Sequence, residues 1–338
     1  MAVATALTIG NFDGAHLGHA ALVARARELV GVGGRVVALS FDPSPASVLR
    51  PGAEPARLTT FGRRAELLGA LGVDEVVRLE PTRELLGWSP EEFVGRVAGE
   101  WAPDVIVEGA DFRFGRGRSG DVETLRRLGE SHGFAVDVVD PVRVALSDQS
   151  VVVASSSVAR WLLERGRVRD LAAVLGRPYE LGGEVVRGDR LGRTIGFPTA
   201  NVACETALPA DGVYAGVARL ADGRRFGAAL SVGTRETFDG EDRRVEAYLL
   251  GTEGGEERED GAPHPGPLPR GEREAEWSPL PGLPEYGWRV SIELVGWVRD
   301  QARFASVEAL VEQIGRDCER VGEALALSGV SATVGGRV

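Results

Sequence analysis

The spacing of apolar residues changes once along this chain of 338 residues, and that change limits the possible folds more than any other feature. Up to about residue 176, short apolar runs alternate with longer amphipathic stretches, which is the pattern of strands alternating with helices. The predicted strands are Ala4–Ile9, Val36–Phe41, Glu75–Leu79, Asp104–Glu108 and Phe134–Val139. The predicted helices are His19–Val30, Phe61–Leu71, Pro90–Trp101, Asp121–His132, Ser157–Glu164 and Val168–Leu175. This order favours a parallel sheet with helices on its faces, and ligands of such sheets bind at the carboxyl ends of the strands.

After Gly176-Arg177-Pro178 the apolar runs become β-rich, and a single long amphipathic stretch follows them. Strands are predicted at Tyr179–Val186, Gly212–Leu220, Arg225–Val232, Arg243–Leu250 and Trp288–Val298, and a helix at Ser306–Leu327. Short strands with short turns and one terminal helix favour a small antiparallel barrel. We therefore predict two domains, residues 1–176 and 177–327, followed by a flexible tail at 328–338.

The stretch Thr252–Pro284 fits neither domain, because it is rich in Pro, Gly, Glu and Arg and has no apolar periodicity. Its closely spaced prolines lack backbone donors and interrupt helices and β-ladders alike. We predict a solvent-exposed, disordered insertion between two barrel strands.

The charged residues exclude several classes of function. A net charge of −11 argues against a general nucleic-acid binder, which needs clustered positive charge. All 39 basic residues counted as Lys or Arg are arginine, which excludes a Walker-type phosphate loop and any mechanism that needs a lysine ammonium. No apolar run reaches the roughly 18 to 20 residues of a membrane-spanning helix. We expect a cytoplasmic protein with no nucleic-acid, membrane or obligate protein partner.

The first candidate site is the segment Gly10–His19, which joins the first predicted strand to the first predicted helix. Its glycines let a nucleotide approach the main chain, the helix N-terminus offers N–H donors, and His16 and His19 can donate to phosphate oxygens. These groups suit displacement at an α-phosphate, where the protein positions the reactants and stabilises negative charge. The other residues assigned to ATP binding in this segment are Gly10, Phe12, Asp13, Gly14 and Gly18.

The alternative for this segment is that His16 and His19 form only a turn and a helix cap. A histidine pair three residues apart is more often structural when nothing else accompanies it. The chain has four histidines, however, and two of them fall in this one strand-to-helix turn, which favours the catalytic interpretation.

The second candidate site is the segment Gly188–Asn201 of the barrel half. Its glycines permit a loop that wraps phosphates with backbone amides, and its last residues offer a hydroxyl and an amide oxygen to Mg²⁺. The residues assigned to ATP are Gly188, Gly192 and Gly196, and those assigned to the metal are Thr199 and Asn201. By spacing alone, a plain glycine-rich hairpin loop is the more common explanation.

Further segments of the N-terminal half resemble the HxGH nucleotidyltransferases, and among them the bifunctional prokaryotic riboflavin kinase/FAD synthetases. These segments are Phe41–Pro45, Gly109–Gly115, Arg118–Asp121 and Ser155–Arg160. The resemblance implies that Ser156, Ser157 and Arg160 hold the ATP triphosphate on the side opposite the two histidines. It also implies that Asp111 and Phe112 lie near the flavin and the nucleotide.

In the barrel half, Gly196–Asn201 resembles the signature of riboflavin kinases. The resemblance implies that Thr199 and Asn201 organise Mg²⁺ and ATP. It implies that Glu246 is the general base that takes the proton from the ribityl 5′-hydroxyl of riboflavin. Arg299 is assigned to flavin binding in the same way.

Together the resemblances imply an α/β protein with an N-terminal Rossmann-like parallel-sheet nucleotidyltransferase domain and a C-terminal small antiparallel β-barrel with a terminal helix. They imply phosphorylation of riboflavin to FMN and adenylylation of FMN to FAD with release of pyrophosphate. ATP would be the co-substrate, Mg²⁺ the cofactor, and FMN and FAD the product ligands. One alternative is an FMN adenylyltransferase whose kinase half only binds flavin, since Glu236 and Gly251 depart from the family pattern. Another is a flavin-sensing or scaffolding protein without catalysis.

Overall fold

The computed structural model describes residues 4–188, 192, 195–237, 240–250 and 282–328. The chain divides into two compact units. The first unit is Met1–Arg160 with Ala173–Gly176, and the second unit is Trp161–Ala172 with Arg177–Val338. Residues 161–172 are thus part of the second unit although they precede Gly176 in the chain.

The first unit contains a parallel sheet of five strands in the order β3-β2-β1-β4-β5. The strands are β1 (Thr5–Gly10), β2 (Arg35–Phe41), β3 (Glu75–Leu79), β4 (Val105–Gly109) and β5 (Ala135–Val139). The helices that accompany them are α1 (Leu17–Val30), α2 (Pro45–Leu49), α3 (Phe61–Leu71), α4 (Arg83–Gly87), α5 (Pro90–Trp101) and α6 (Val122–His132). A hairpin of β6 (Arg143–Ala145) and β7 (Val151–Val153) precedes α7 (Ser156–Leu163) and α8 (Val168–Leu175).

Both faces of this sheet are buried, which explains why its central strands are almost wholly apolar. Successive side chains of a strand point to opposite faces. In β1, Leu7 and Ile9 therefore join a core with Phe93 of α5, whereas Ala6 joins a second core with Val23 of α1. Two apolar layers thus fix the sheet and leave its carboxyl edge to the loops.

The second unit is a closed barrel with strand order β10-β11-β12-β9-β8-β13, in which every pairing is antiparallel. The strands are β8 (Tyr179–Val186), β9 (Ala200–Cys204), β10 (Gly212–Leu220), β11 (Arg225–Thr237), β12 (Gly240–Leu249) and β13 (Arg289–Arg299). The terminal helix α9 (Val307–Leu327) begins after Ser306, whose hydroxyl accepts a hydrogen bond from the Ala309 N–H at 3.2 Å. Val321 and Leu325 of α9 are buried in one apolar cluster with Tyr248 of the barrel.

The predicted fold class, a parallel-sheet α/β unit followed by an antiparallel barrel and a terminal helix, is confirmed. Two local differences bear on function. Helix α1 begins at Leu17, so His16 is its N-cap and His19 lies in its first turn. Strand β9 was not predicted, and it converts the end of the second candidate site from a loop into a barrel strand.

Other predicted features fall outside the described residues. These are residues 252–281 of the predicted insertion and residues 329–338 of the predicted tail. Among the residues that the structure does describe, no helix is long and apolar enough to cross a membrane.

Candidate active sites

The two histidines of the first unit form a stacked pair at the start of α1. Their ring centroids lie 3.6 Å apart with an interplanar angle of 23°. The His16 backbone N–H donates to Nδ1 of His19 at 3.3 Å. Since Nδ1 of His19 accepts this hydrogen bond, its ring proton resides on Nε2, which can donate to a phosphate oxygen. The pair thus forms a capping box at the start of α1, as in the structural alternative, and leaves Nε2 of His19 as a possible donor, so that its catalytic role stays a prediction.

A tight turn ahead of the helix holds this pair in place. Phe12 and Ala15 both have positive φ, 49° and 39°, and the Ala15 N–H donates to the Phe12 carbonyl at 2.9 Å. Non-glycine residues rarely adopt such backbone angles, and they cluster at functional sites. The Phe12 ring is 1% exposed and meets the His19 ring edge-on, with 5.1 Å between centroids. Phe12, predicted to contact ATP, is thus placed in the core beneath His19.

Gly18 is required by the close packing of this turn. A Cβ at position 18 would lie 3.0 Å from the His16 ring and 3.1 Å from the Ala154 carbonyl oxygen. The glycine therefore brings the end of the β6–β7 hairpin segment against the histidine pair. Any larger residue would displace His16.

The Asp13 carboxylate is the centre of a buried hydrogen-bond network. It accepts hydrogen bonds from the Leu58 N–H at 2.9 Å, from the Thr59 N–H at 2.9 Å and from the Thr59 hydroxyl at 3.0 Å. Arg160 donates to it through Nη2, and Nη2 of Arg64 lies 3.8 Å away. Asp13 is only 5% exposed. Its carboxylate therefore ties residues 58–59 and Arg160 to the nucleotide turn, while its role as an ATP contact stays a prediction.

Arg64 is a second buried charge of this network. Its Nη1 donates to the Ser40 hydroxyl at 3.1 Å and to the Phe41 carbonyl at 2.9 Å. Burial lowers the pKa of Arg64, and the nearby carboxylates of Asp13 and Asp42 oppose that effect. The negative charges of Asp13 and Asp42 thus offset the positive charge of the buried Arg64 guanidinium beneath the turn.

The structure brings part of the predicted phosphate-binding group to the same place. The Ser156 hydroxyl donates to the Asp13 carbonyl at 2.7 Å, and Arg160 donates through Nε to the Ala56 carbonyl at 2.7 Å. Ser157 is exposed in the first turn of α7. The start of α7 and the start of α1 therefore meet around Asp13, as expected for one site built from both ends of the unit.

Asp13→Asn is expected to lower the free energy of unfolding of the first unit by about 3 to 5 kcal/mol, because it leaves buried Arg64 and Arg160 without their shared carboxylate. An amide also presents two N–H donors to a site that already supplies donors. Denaturant unfolding checks this, with Asp140→Asn, an exposed loop position, as the matched control. A decrease in the free energy of unfolding of less than about 1 kcal/mol would contradict a stabilising role for the Asp13 network.

The residues predicted to face the flavin, Asp111 and Phe112, follow β4, the strand next to β1. Asp111 is exposed, and the Phe112 ring stacks on Phe114 with 5.5 Å between centroids. Since the carboxyl ends of parallel neighbours share one edge of the sheet, both lie at the same edge as the histidine turn.

The second unit contains a cavity of about 430 Å³. Its lining includes most of the residues predicted for the second site, namely Gly192, Thr199, Asn201, Glu246 and Arg299. Apolar walls come from Phe197, Val213, Leu230, Tyr248, Leu310 and Ile314. A cavity that combines apolar walls with convergent polar groups is the usual form of a small-molecule site.

Strand β9 sets the polar end of this cavity. In the barrel register, Asn201 of β9 lies opposite Glu246 of β12. The Thr199 hydroxyl donates to Oε2 of Glu246 at 3.4 Å. A Cβ on Gly188 would lie 2.0 Å from Nδ2 of Asn201, so a larger residue at position 188 would displace this amide. Thr199, Asn201 and Glu246 are thus placed together by strand pairing.

Arg299 is held from several sides. Its Nε donates to both carboxylate oxygens of Asp317, at 2.9 and 3.0 Å, and its Nη2 donates to Oδ2 at 2.6 Å. Gln313 donates to Asp317 at 2.9 Å, and the Arg299 guanidinium lies 5.6 Å from the centre of the Phe304 ring. Because Asp317 is 3% exposed, this ion pair fixes the guanidinium at the cavity wall.

Sequence reasoning missed other cavity-lining residues, among them Ser231, Arg244 and Gln301. Gln301 donates to the Ser231 hydroxyl and to the Val232 carbonyl, both at 3.0 Å. Arg244 could have been found, because it lies two residues before Glu246 on the same strand face. Gln301 lies just past β13, and its contacts could not be read from the sequence.

The donor set of the cavity fits Mg²⁺ held mainly by substrate phosphates. The hydroxyl of Thr199 and the amide oxygen of Asn201 are neutral oxygen donors, which Mg²⁺ accepts alongside waters and phosphate oxygens. Among the residues that the structure describes, no group of three or more His, Cys, Asp and Glu side chains could hold a metal by itself. The fit is therefore to a metal–nucleotide complex.

Comparison with known proteins identifies a transferase with one enzymatic domain in each half of the chain. Residues 2–156 match the family model of FAD synthetase, and residues 175–325 match that of riboflavin kinase. The bifunctional riboflavin kinase/FMN adenylyltransferase of Escherichia coli strain K12 is 32% identical over 320 residues, covering 92% of this chain and 90% of that protein. The enzyme of the same name from Pseudomonas fluorescens is 33% identical, covering 96% and 93%.

A crystal structure of a macrolide-efflux protein from Streptococcus pneumoniae is also similar, with 26% identity, a TM-score of 0.76 and 95% coverage of each chain. The chain belongs to the family of bifunctional riboflavin kinase/FMN adenylyltransferases. This confirms the resemblance seen in the sequence motifs and the predicted enzyme class.

Proposed function

We propose that this chain divides its two reactions between its two units, with riboflavin phosphorylation in the barrel and FMN adenylylation at the histidine turn. The observation that carries the proposal is the register of β9 against β12, which sets Asn201 opposite Glu246. The Thr199 hydroxyl donates a hydrogen bond to the carboxylate of Glu246. A base and two neutral oxygen donors then share one end of a cavity that has room and apolar walls for a flavin ring.

In the kinase reaction, Glu246 orients the ribityl 5′-hydroxyl and takes its proton as the oxygen attacks the γ-phosphorus of ATP. The bond from that phosphorus to the β-bridging oxygen breaks, and ADP leaves. Mg²⁺ held with the nucleotide by Thr199 and Asn201 would supply positive charge to neutralise the phosphate oxygens. Arg299, fixed by Asp317, would form the wall against which the flavin lies.

In the adenylylation reaction, a phosphate oxygen of FMN attacks the α-phosphorus of ATP and pyrophosphate leaves. The Nε2–H of His19 donates to phosphate oxygens as negative charge moves towards the leaving group. His16 keeps the His19 ring in place through its backbone N–H and by stacking. The N-termini of α1 and α7 add N–H donors for the phosphates.

Chromatographic product analysis tests the proposal. The full chain, ATP and Mg²⁺ are incubated with riboflavin in one reaction and with FMN in another. We expect FMN and FAD from riboflavin, FAD from FMN, and neither product when a chelator removes Mg²⁺. FAD from FMN without FMN from riboflavin would instead identify an adenylyltransferase whose barrel only binds flavin. Absence of both products would refute the proposal.

The cytoplasmic location and the absence of nucleic-acid, membrane and obligate protein partners stay predictions from the sequence. A cytoplasmic location would suit the proposed use of ATP as co-substrate. Cell fractionation with an antibody against the chain would test it.

A further inference from the structure

The strands β1 and β4 separate before they reach the carboxyl edge of the sheet. The ladder between β1 and β2 runs through every residue from Thr5 to Gly10. The ladder between β1 and β4 covers only Ala6 and Leu7. The order in which strands are added to the sheet also changes direction here, because β2 and β3 lie on one side of β1 whereas β4 and β5 lie on the other. Such a switch point opens the crevice in which parallel-sheet proteins bind ligands.

Glu108 fills the gap between the separated strands. Its Oε1 accepts a hydrogen bond from the Ile9 N–H at 2.6 Å, across the point where no strand ladder joins β1 to β4. The side chain is 2% exposed and lies next to the fully buried core of both strands. A carboxyl group thus replaces the backbone acceptor that continued pairing would have supplied.

The burial of Glu108 also shifts its pKa. Desolvation raises the pKa of Glu108 well above its usual range, although the hydrogen bond from Ile9 acts in the opposite direction. Burial thus disfavours the charged form of this carboxyl group.

We propose that Glu108 is a positioning residue for FMN adenylylation, which fixes the distance between the turn Gly10–His19 and the loop Gly109–Phe112. It is joined covalently to the loop through Gly109, and its hydrogen bond holds Ile9, the residue just before the turn. One side chain therefore connects the two segments that border the crevice. The inference rests on the proposed function, which places adenylylation in this crevice.

Two substitutions separate the hydrogen bond from the volume of the side chain. Glu108→Gln keeps an acceptor oxygen and a similar volume. Glu108→Met keeps a similar volume but leaves the Ile9 N–H without its acceptor. We expect Glu108→Gln to form FAD from FMN with a kcat within about threefold of the unaltered enzyme. We expect Glu108→Met to lower that kcat by about tenfold to a hundredfold with a smaller change in KM for ATP, because misplaced reactants lose catalytic alignment.

Phosphorylation of riboflavin in the same preparations is the internal control, since it belongs to the other unit. The proposal fails if Glu108→Met retains the kcat of FAD formation, if Glu108→Gln is impaired as severely as Glu108→Met, or if both activities fall together. Unaltered protein that forms no FAD from FMN would instead refute the proposed function.

A second measurement does not depend on how well the methionine variant folds. Amide hydrogen exchange at Ile9 should be slow in the unaltered chain and in Glu108→Gln, because the N–H is bound to the side chain in both. Fast exchange of this amide in the unaltered chain would overturn the positioning role.

Discussion

Replacing Glu246 by glutamine is expected to lower the kcat of riboflavin phosphorylation by about 10² to 10⁴-fold, the usual contribution of a positioned general base. Glutamine has nearly the same shape and can still accept the hydrogen bond from the Thr199 hydroxyl. It cannot take the proton of the 5′-hydroxyl. Formation of FAD from supplied FMN should stay unchanged, because Glu246 lies in the barrel unit and the histidine pair in the other.

The matched control is Glu205→Gln, which changes a carboxylate of the same unit to an amide away from the cavity. Glu205 is exposed and pairs with exposed Arg289 at 2.8 Å. Surface ion pairs contribute about 0 to 1 kcal/mol, so this variant should keep both activities. Steady-state rates of FMN and FAD formation, measured separately for both variants, check the prediction. Riboflavin phosphorylation within tenfold of normal in Glu246→Gln would rule out Glu246 as the base.

The general architecture could be predicted because the spacing of apolar residues along the chain indicates the strands and helices of both units. Buried parallel strands are continuous apolar runs, and helices follow them with a period of 3.6 residues. The limits of β1 and β2 differ from prediction by only a residue or so. The start of helix α1 was not predicted correctly, because its N-cap is His16 and not one of the residues that usually mark an N-cap, such as Ser, Thr, Asp or Asn.

Strand β9 could not be predicted because local preference and tertiary pairing disagree there. Ala200 and Asn201 are poor strand formers, and they follow Gly196 and Pro198, which indicate a loop. Pairing with β12 on one side and with β8 on the other overrides that preference. The same pairing brings Asn201 opposite Glu246, so the strand that was missed is the one that assembles the site.

The hydrogen-bond partners of Asp13 and Glu108 could not be predicted from the sequence for a different reason. An aspartate beside a glycine in a strand-to-helix turn is typical of a turn or a phosphate-binding loop. Its actual partners, residues 58–59 and Arg160, are far away in the chain. Glu108 stands out in an apolar strand, yet its contact with Ile9 depends on where two ladders part. Local pattern identifies such residues as unusual, and only the three-dimensional fold supplies their partners.

His19→Ala is expected to lower the kcat of FAD formation from FMN by about 10² to 10³-fold, the usual effect of removing one donor aimed at developing charge. Riboflavin phosphorylation should be unaffected. The hydrogen bond from the His16 N–H to Nδ1 leaves Nε2 as the donor, so a side chain that keeps a donor near Nε2 should restore part of the rate. His19→Gln places an amide N–H near that position, whereas His19→Asn is one carbon shorter and places its amide near Nδ1. We therefore expect kcat to decrease in the order His19, Gln, Asn, Ala.

The control for this series is His132→Ala, which removes an exposed histidine from the last turn of α6 in the same unit. Its expected cost is about 0.3 to 1 kcal/mol of stability through the helix dipole, with both activities retained. Rates of FAD formation at saturating FMN and ATP, together with the rate of riboflavin phosphorylation, separate a lost donor from a misfolded unit. Equal loss in the Gln and Ala variants would exclude Nε2 as the donating atom. A decrease in kcat of less than tenfold in the Ala variant would assign the stacked pair a structural role only, because a helix cap does not require a donor at Nε2.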